Sequence, residues 1–156
     1  MIPLVEFLST ISRKVKKDLL EFGKVVGKEV IDTTATRKGI VMDIVKDYYG
    51  IKVSLLGFKY KPEELRRLKR VKEDTLVCIG QQGRFFVPMS KIKAIGNFVL
   101  LSVKVRTPEL KTMERKREEI FRMYRDVRQK LRKFLPEFLS MQYEERKGWL
   151  DRIMGE

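Results

Sequence analysis

The residues that could do chemistry in this chain are almost all cations. The 156 residues carry 35 Lys and Arg against 21 Asp and Glu, with no His, for a net charge of +14. Without an imidazole the chain lacks the usual base for neutral pH and the commonest metal ligand. The single cysteine, Cys78, can form neither an internal disulfide nor a zinc-holding pair, which fits a reducing compartment. It lies in the apolar run Thr75-Leu76-Val77-Cys78-Ile79 and reads as a small core residue. Asp32, Asp43 and Asp47 are near one another, but they fall on strands or turns among lysines. No nucleophile, base and oxyanion donors come together, and there is no Gly-rich phosphate loop. The expectation is therefore no enzyme, no catalytic residue, no metal and no cofactor.

What the cations can do is hold a polyanion: RNA, an anionic membrane surface or a ribonucleoprotein. A lysine-rich coat on a thermophilic protein would give a similar balance, and the low amide and thiol content suits one. The densest cluster is Lys59, Lys61, Arg66, Arg67, Lys69, Arg70 and Lys72, with Arg84 expected nearby, against Glu63 and Glu64. A second set, Arg115, Lys116, Arg122, Arg125, Arg128, Arg132 and Lys133, is spread along the C-terminal part. Its functional reading is contact with phosphates, for which the guanidinium fork is suited. The alternative is a solvated face laced with ion pairs such as Glu118–Arg122.

Residues 2–22 read as an amphipathic helix. Pro3 stands where a helix can start, and Leu4, Leu8, Ile11, Val15, Leu19 and Phe22 recur at helical spacing. Gly23 is a natural stop. This face packs on the rest of the chain, on a second copy or on a membrane surface; a near-neutral segment favours packing. Basic residues follow the first apolar stretch instead of preceding it, the reverse of a signal peptide. There is no transmembrane span, and the location expected is cytoplasmic.

Residues 27–58 change to strand patterns. A short strand over 27–32 and a polar turn over 33–37 lead into a strand over 38–45. Tyr48-Tyr49-Gly50 marks a turn, and Ile51 to Leu55 alternates as a half-buried strand. Lys61-Pro62-Glu63-Glu64 opens a short helix whose acids come first and whose bases come last, as the helix dipole prefers. Leu65 and Leu68 would face inward. Strands over 75–79 and 84–88 follow, joined by Gly80-Gln81-Gln82-Gly83. Pro88 ends the second of these, Gly96-Asn97 makes a turn, and Phe98 to Leu101 reads as a fully buried strand.

Beyond Thr107-Pro108-Glu109, read as N-cap and first turn, one helix is expected over 107–135. Met113, Ile120, Tyr124, Val127, Leu131 and Phe134 form its apolar seam, with Arg117 in one inward slot. The seam would serve a coiled coil or an ordinary helical hairpin. Pro136 is expected to break the helix, and a second to run over 137–153.

Two pieces resemble a PRC-barrel domain of the archaeal type. Gly27-Lys28-Glu29-Val30-Ile31-Asp32, followed by Gly39-Ile40-Val41-Met42-Asp43-Ile44, looks like that family's opening hairpin. Val87-Pro88-Met89-Ser90-Lys91-Ile92-Lys93-Ala94-Ile95-Gly96, with Val99-Leu100-Leu101, is similar to its closing segment. The position after Gly96, often acidic in the family, is Asn97 here. The match covers about residues 24–104. It implies an α+β protein: a small PRC-like β-barrel flanked by an N-terminal amphipathic helix and a C-terminal helical hairpin. The divisions are 1–23, 24–105 and 106–156. Relatives occur in photosynthetic reaction-centre H subunits, in ribosome-maturation factors of the RimM type and in archaeal cell-division adaptors, so fold transfers better than function.

Two functions follow from these readings. In the first, the chain binds the ribosome or structured RNA through its basic surfaces, as a homodimer built on Leu4, Leu8, Ile11, Val15, Met113, Ile120, Tyr124, Val127 and Leu131. In the second, it is a protein-scaffold adaptor of cell division or another assembly, in which the barrel docks a protein partner. Convergence of the cations on one face favours the first, and dispersal the second.

Overall fold

The computed structural model describes residues 4–48 and 50–140, with side chains over 13–48 and 50–130. The order is α1 (Leu4–Phe22), β1 (Glu29–Ile31), β2 (Arg37–Tyr48), β3 (Ile51–Ser54), α2 (Pro62–Arg70), β4 (Thr75–Gly80), β5 (Gly83–Pro88), a 3₁₀ turn (Met89–Lys91), β6 (Ile92–Ile95), β7 (Val99–Leu101) and α3 (Glu114–Ser140). The chain is thus mixed α+β with a seven-stranded sheet.

β2 organises the sheet. Its 12 residues pair with β1 at one end, β4 through the middle and β3 at the other end. The strand order is β5-β4-β2-β1-β7-β6, with β3 attached to β2 off that path. The outer strands β5 and β6 are not paired with each other, so the sheet stays open where a closed barrel was expected. All pairings are antiparallel except β1 with β7, where Val30 lies opposite Val99. That one pairing brings the first strand beside the last.

The β2 core is wider than its alternation implied. Residues 38–45 are buried without interruption, because helices cover both faces of the strand. Lys46 and Tyr48 reach Asp18 of α1, at 3.8 and 2.7 Å. Asp43, Val45 and Asp47 point the other way: Tyr60 contacts Asp43, and the hollow beside α2 is lined by Val45 and Asp47. Alternation along a strand therefore places α1 and α2 on opposite faces of β2.

α3 shares the α1 side. Ile120 and Tyr124 are buried against α1, whose inner face is Val15, Leu19 and Phe22. Gly23 ends α1 where a larger residue would not fit, since a Cβ there would lie 2.0 Å from the Tyr124 hydroxyl.

Several expectations are corrected. α3 begins at Glu114, not 107, so Thr107 and Pro108 are not its cap. The segment before it is tied to β2 instead: Leu110 N–H donates to the Arg37 carbonyl at 2.8 Å, and Lys38 Nζ to the Thr107 carbonyl at 2.7 Å. α3 also runs through Pro136 to Ser140. An interior proline removes one helical hydrogen bond and bends the chain without obliging it to stop. The second helix expected over 137–153 lies, beyond Ser140, outside the described residues. Finally, the strand at 98–101 is buried on one face only. Val99 and Leu101 are inside, while Phe98 and Leu100 are 43% and 39% exposed, because alternation along the strand turns them to the opposite face.

Candidate functional site

A hollow lies between the β2–β3 hairpin, the loop over 55–61 and α2. Its volume is about 910 Å³. One wall is a loop folded around a buried acid. Asp43 is fully inaccessible, and its carboxylate accepts hydrogen bonds from the Ser54 and Tyr60 hydroxyls and from Leu56 N–H at 3.1 Å. Burial pushes the Asp43 carboxyl above its ordinary range, and those donors pull only part of the way back. Burial and the neighbouring carboxylate likewise push the Tyr60 hydroxyl up. These groups hold the loop in place and face the interior.

Arg84 fastens the loop to α2. Its guanidinium donates to the Lys59 carbonyl at 2.8 Å and lies 3.6 Å from Glu64. It also covers the Tyr60 and Phe58 rings, at 5.0 and 5.8 Å. Glu64 in turn accepts from Lys61 N–H at 2.9 Å, which satisfies a donor at the start of the helix. Arg84, expected as a free phosphate contact, is therefore a clamp whose Nη1 is already engaged by Lys59 and Glu64.

α2 carries two distinct cationic faces. Leu65, Leu68 and Lys69 line the hollow at helical spacing, and Lys72, two residues past the end of the helix, lines it as well. Arg66, Arg67 and Arg70 are exposed and do not line it. None of the three arginines, nor Lys59, Lys61, Lys69 or Lys72, makes a side-chain hydrogen bond or ion pair among the described residues. Lys52 is different, since it donates to the Val71 carbonyl at 2.6 Å and sits 3.2 Å from Asp47.

The second expected set divides further. Arg115, Arg122 and Arg125 are exposed on α3. Lys116 pairs with Glu119 at 3.6 Å, and Arg128 lies over the Tyr124 ring at 5.8 Å. The expected Glu118–Arg122 pair does not form. Arg132 and Lys133 fall outside the described side chains. Because α3 lies on the α1 side and α2 on the other, the two arginine sets do not form one surface.

The expected contact seam is turned inward. Val15, Ile120 and Tyr124 are buried within the chain, and Met113 and Val127 pack against the same core. Single-chain packing thus uses these residues; Leu4, Leu8, Ile11 and Leu131 lie outside the described side chains. Arg117 occupies the inward slot read from its spacing, donating to the Gly27 carbonyl at 3.0 Å and reaching Glu29 at 3.3 Å. The lysine-lined hollow was missed by sequence reasoning, although Leu65, Leu68 and Lys69 spell one helical face.

Among the described residues no group of three or more acids or Cys could hold a metal ion. No described helix is long and apolar enough to cross a membrane. No protein-family model and no curated protein matches the chain.

Proposed function

We propose that this protein is a non-enzymatic binding module for the ribosome or structured RNA, and that its PRC-barrel-like sheet serves as the platform for α2. The observation that carries the reading is the outer face of α2. Arg66, Arg67 and Arg70 are exposed there, and none makes an ion pair among the described residues. Three fork-shaped cations on one short helix suit bidentate contact with phosphate oxygens. No base-reading aromatic platform accompanies them, so recognition would follow shape and backbone. Arg115, Arg122 and Arg125 on the far face would contact a second, separate stretch of the polyanion.

That dispersal over two faces favours a second reading, a protein-scaffold adaptor. The adaptor reading also draws on the resemblance over residues 24–104.

The test is sucrose-gradient sedimentation of lysate from the native organism, probing this protein at low and high salt. Co-migration with a ribosomal subunit, lost at high salt, supports the RNA reading. Migration in the light fractions at low salt overturns it.

A further inference from the structure

We propose that the hollow between β3 and α2 is a docking groove for residues 137–145 of a second copy of this chain. Its floor is aliphatic, and part of it is open: Ile51 is 56% and Leu65 42% exposed beside buried Leu68. Its rim is cationic, with Lys59, Lys69 and Lys72 free of partners among the described residues. An occupant must therefore combine apolar side chains with carboxylates or phosphates.

The groove favours a peptide over a nucleic acid. Bases bind to open aromatic faces. Here the two rings at the groove, Phe58 and Tyr60, are partly buried against the core, and each has one face taken by the Arg84 guanidinium. What remains is aliphatic floor with lysines around it, which accommodates Leu, Met or Phe anchors flanked by acids.

The chain contains one stretch of that chemistry. Residues 137–145 read Glu-Phe-Leu-Ser-Met-Gln-Tyr-Glu-Glu, with three carboxylates and no Lys or Arg. No other nine-residue window of this basic chain carries three net negative charges. Three glutamates match three free lysines, and Phe138, Leu139, Met141 and Tyr143 supply anchors. The wall formed by α2 is nine residues long, about 13 Å, comparable to the segment if helical. Because α3 lies on the face opposite α2, the donor of the segment is a second copy. Reciprocal exchange of two such segments closes a twofold dimer.

The proposal does not use Arg66, Arg67 or Arg70, so it and the RNA reading can fail separately. The experiment is sedimentation equilibrium of the full chain over a concentration series at low salt. Wild type is compared with Lys69→Glu/Lys72→Glu, with Glu144→Lys/Glu145→Lys and with the four-site charge swap. Wild type should self-associate, and each double variant should weaken association about tenfold or more. The charge swap should restore it, and Arg66→Ala/Arg67→Ala/Arg70→Ala should leave it unchanged. A labelled synthetic peptide of residues 137–145 should bind wild type saturably and fail to bind Lys69→Glu/Lys72→Glu. A wild type that stays monomeric overturns the proposal. So does a Glu144→Lys/Glu145→Lys chain that associates normally, or a peptide whose binding ignores the lysine substitutions.

Discussion

Tyr124 of α3 donates its hydroxyl to the carbonyl of Leu19 in α1, at 3.0 Å, beside the glycine that ends that helix. The same carbonyl accepts from Gly23 N–H at 3.1 Å, the last turn's own bond, so the hydroxyl takes its second lone pair. The bond seats α3 on the end of α1. It also explains Gly23, because a Cβ there would come within 2.7 Å of the ring carbon bearing that hydroxyl.

Gly23→Ala should accordingly destabilise the fold by about 1–3 kcal/mol, the cost of overpacking. Tyr124→Phe should cost about 1 kcal/mol for the lost hydrogen bond. Combining Gly23→Ala with Tyr124→Leu should cost less than the sum of the two single changes by about 1 kcal/mol, because the second change removes the clash. Urea denaturation of wild type, Gly23→Ala, Tyr124→Leu and the double variant measures this. Strict additivity would mean that α3 does not rest on Gly23.

The two buried aspartates should respond to pH with opposite signs. Burial raises the Asp43 carboxyl, so the folded state keeps a proton that the unfolded chain has released. Its contribution is fully present below the unfolded value of about 4 and is lost as pH rises towards the folded value. At Asp32, burial also pushes upward, but donation from the Thr34 side chain and from Val105 and Thr34 N–H, with Lys38 nearby, holds the carboxyl below its ordinary range. Its contribution is present above the unfolded value and is lost as pH falls through the folded one. Relative to wild type, Asp43→Asn should gain stability as pH rises from about 3 to 6, and Asp32→Asn should lose it. Thermal unfolding at stepped pH checks this, and parallel shifts of the two variants would contradict it.

The segment over 92–101 supplies a third prediction. Phe98→Ser should change stability by no more than about 0.5 kcal/mol, since the side chain is 43% exposed at a sheet margin. Val99→Ala, next to it but fully buried, should cost about 1–3 kcal/mol. Equal costs would place both residues in the core.

These cases show what could be read from the sequence and what could not. Period-two and helical spacing and short apolar runs located α1, α2 and every strand but β6, because burial leaves a local pattern. Arg117 was legible as an inward residue for the same reason. The strand at 98–101 was misread because four consecutive apolar residues look alike whether one or two faces are covered, and coverage depends on what distant part of the chain packs on each face. The start of α3 was misread because Thr107-Pro108-Glu109 has good helix-opening chemistry locally. Two long-range hydrogen bonds to β2 hold that segment extended instead. Arg84 was placed near the basic helix correctly. Its role was hidden, because its partners Lys59, Glu64, Phe58 and Tyr60 lie about 20–25 residues away.

The contrast between Arg84 and its neighbours on α2 gives the last prediction. Arg84→Ala removes a carbonyl hydrogen bond, an ion pair and two ring contacts, and should lower stability by about 1–3 kcal/mol. Arg84→Lys should recover little, because an ammonium cannot lie flat over two rings while reaching both oxygens. Arg66→Ala/Arg67→Ala/Arg70→Ala touches no internal partner and should leave the unfolding midpoint nearly unchanged. If those arginines hold phosphates, the same triple variant should flatten the salt dependence of RNA binding by about 0.7–0.9 logarithmic units per lost contact. The equivalent triple change at Arg115, Arg122 and Arg125 should flatten it independently, since the two sets lie on opposite faces. RNA binding whose salt slope is the same in wild type and in both triple variants would remove α2 and α3 from the contact surface. The free arginines would then be no more than a solvated coat.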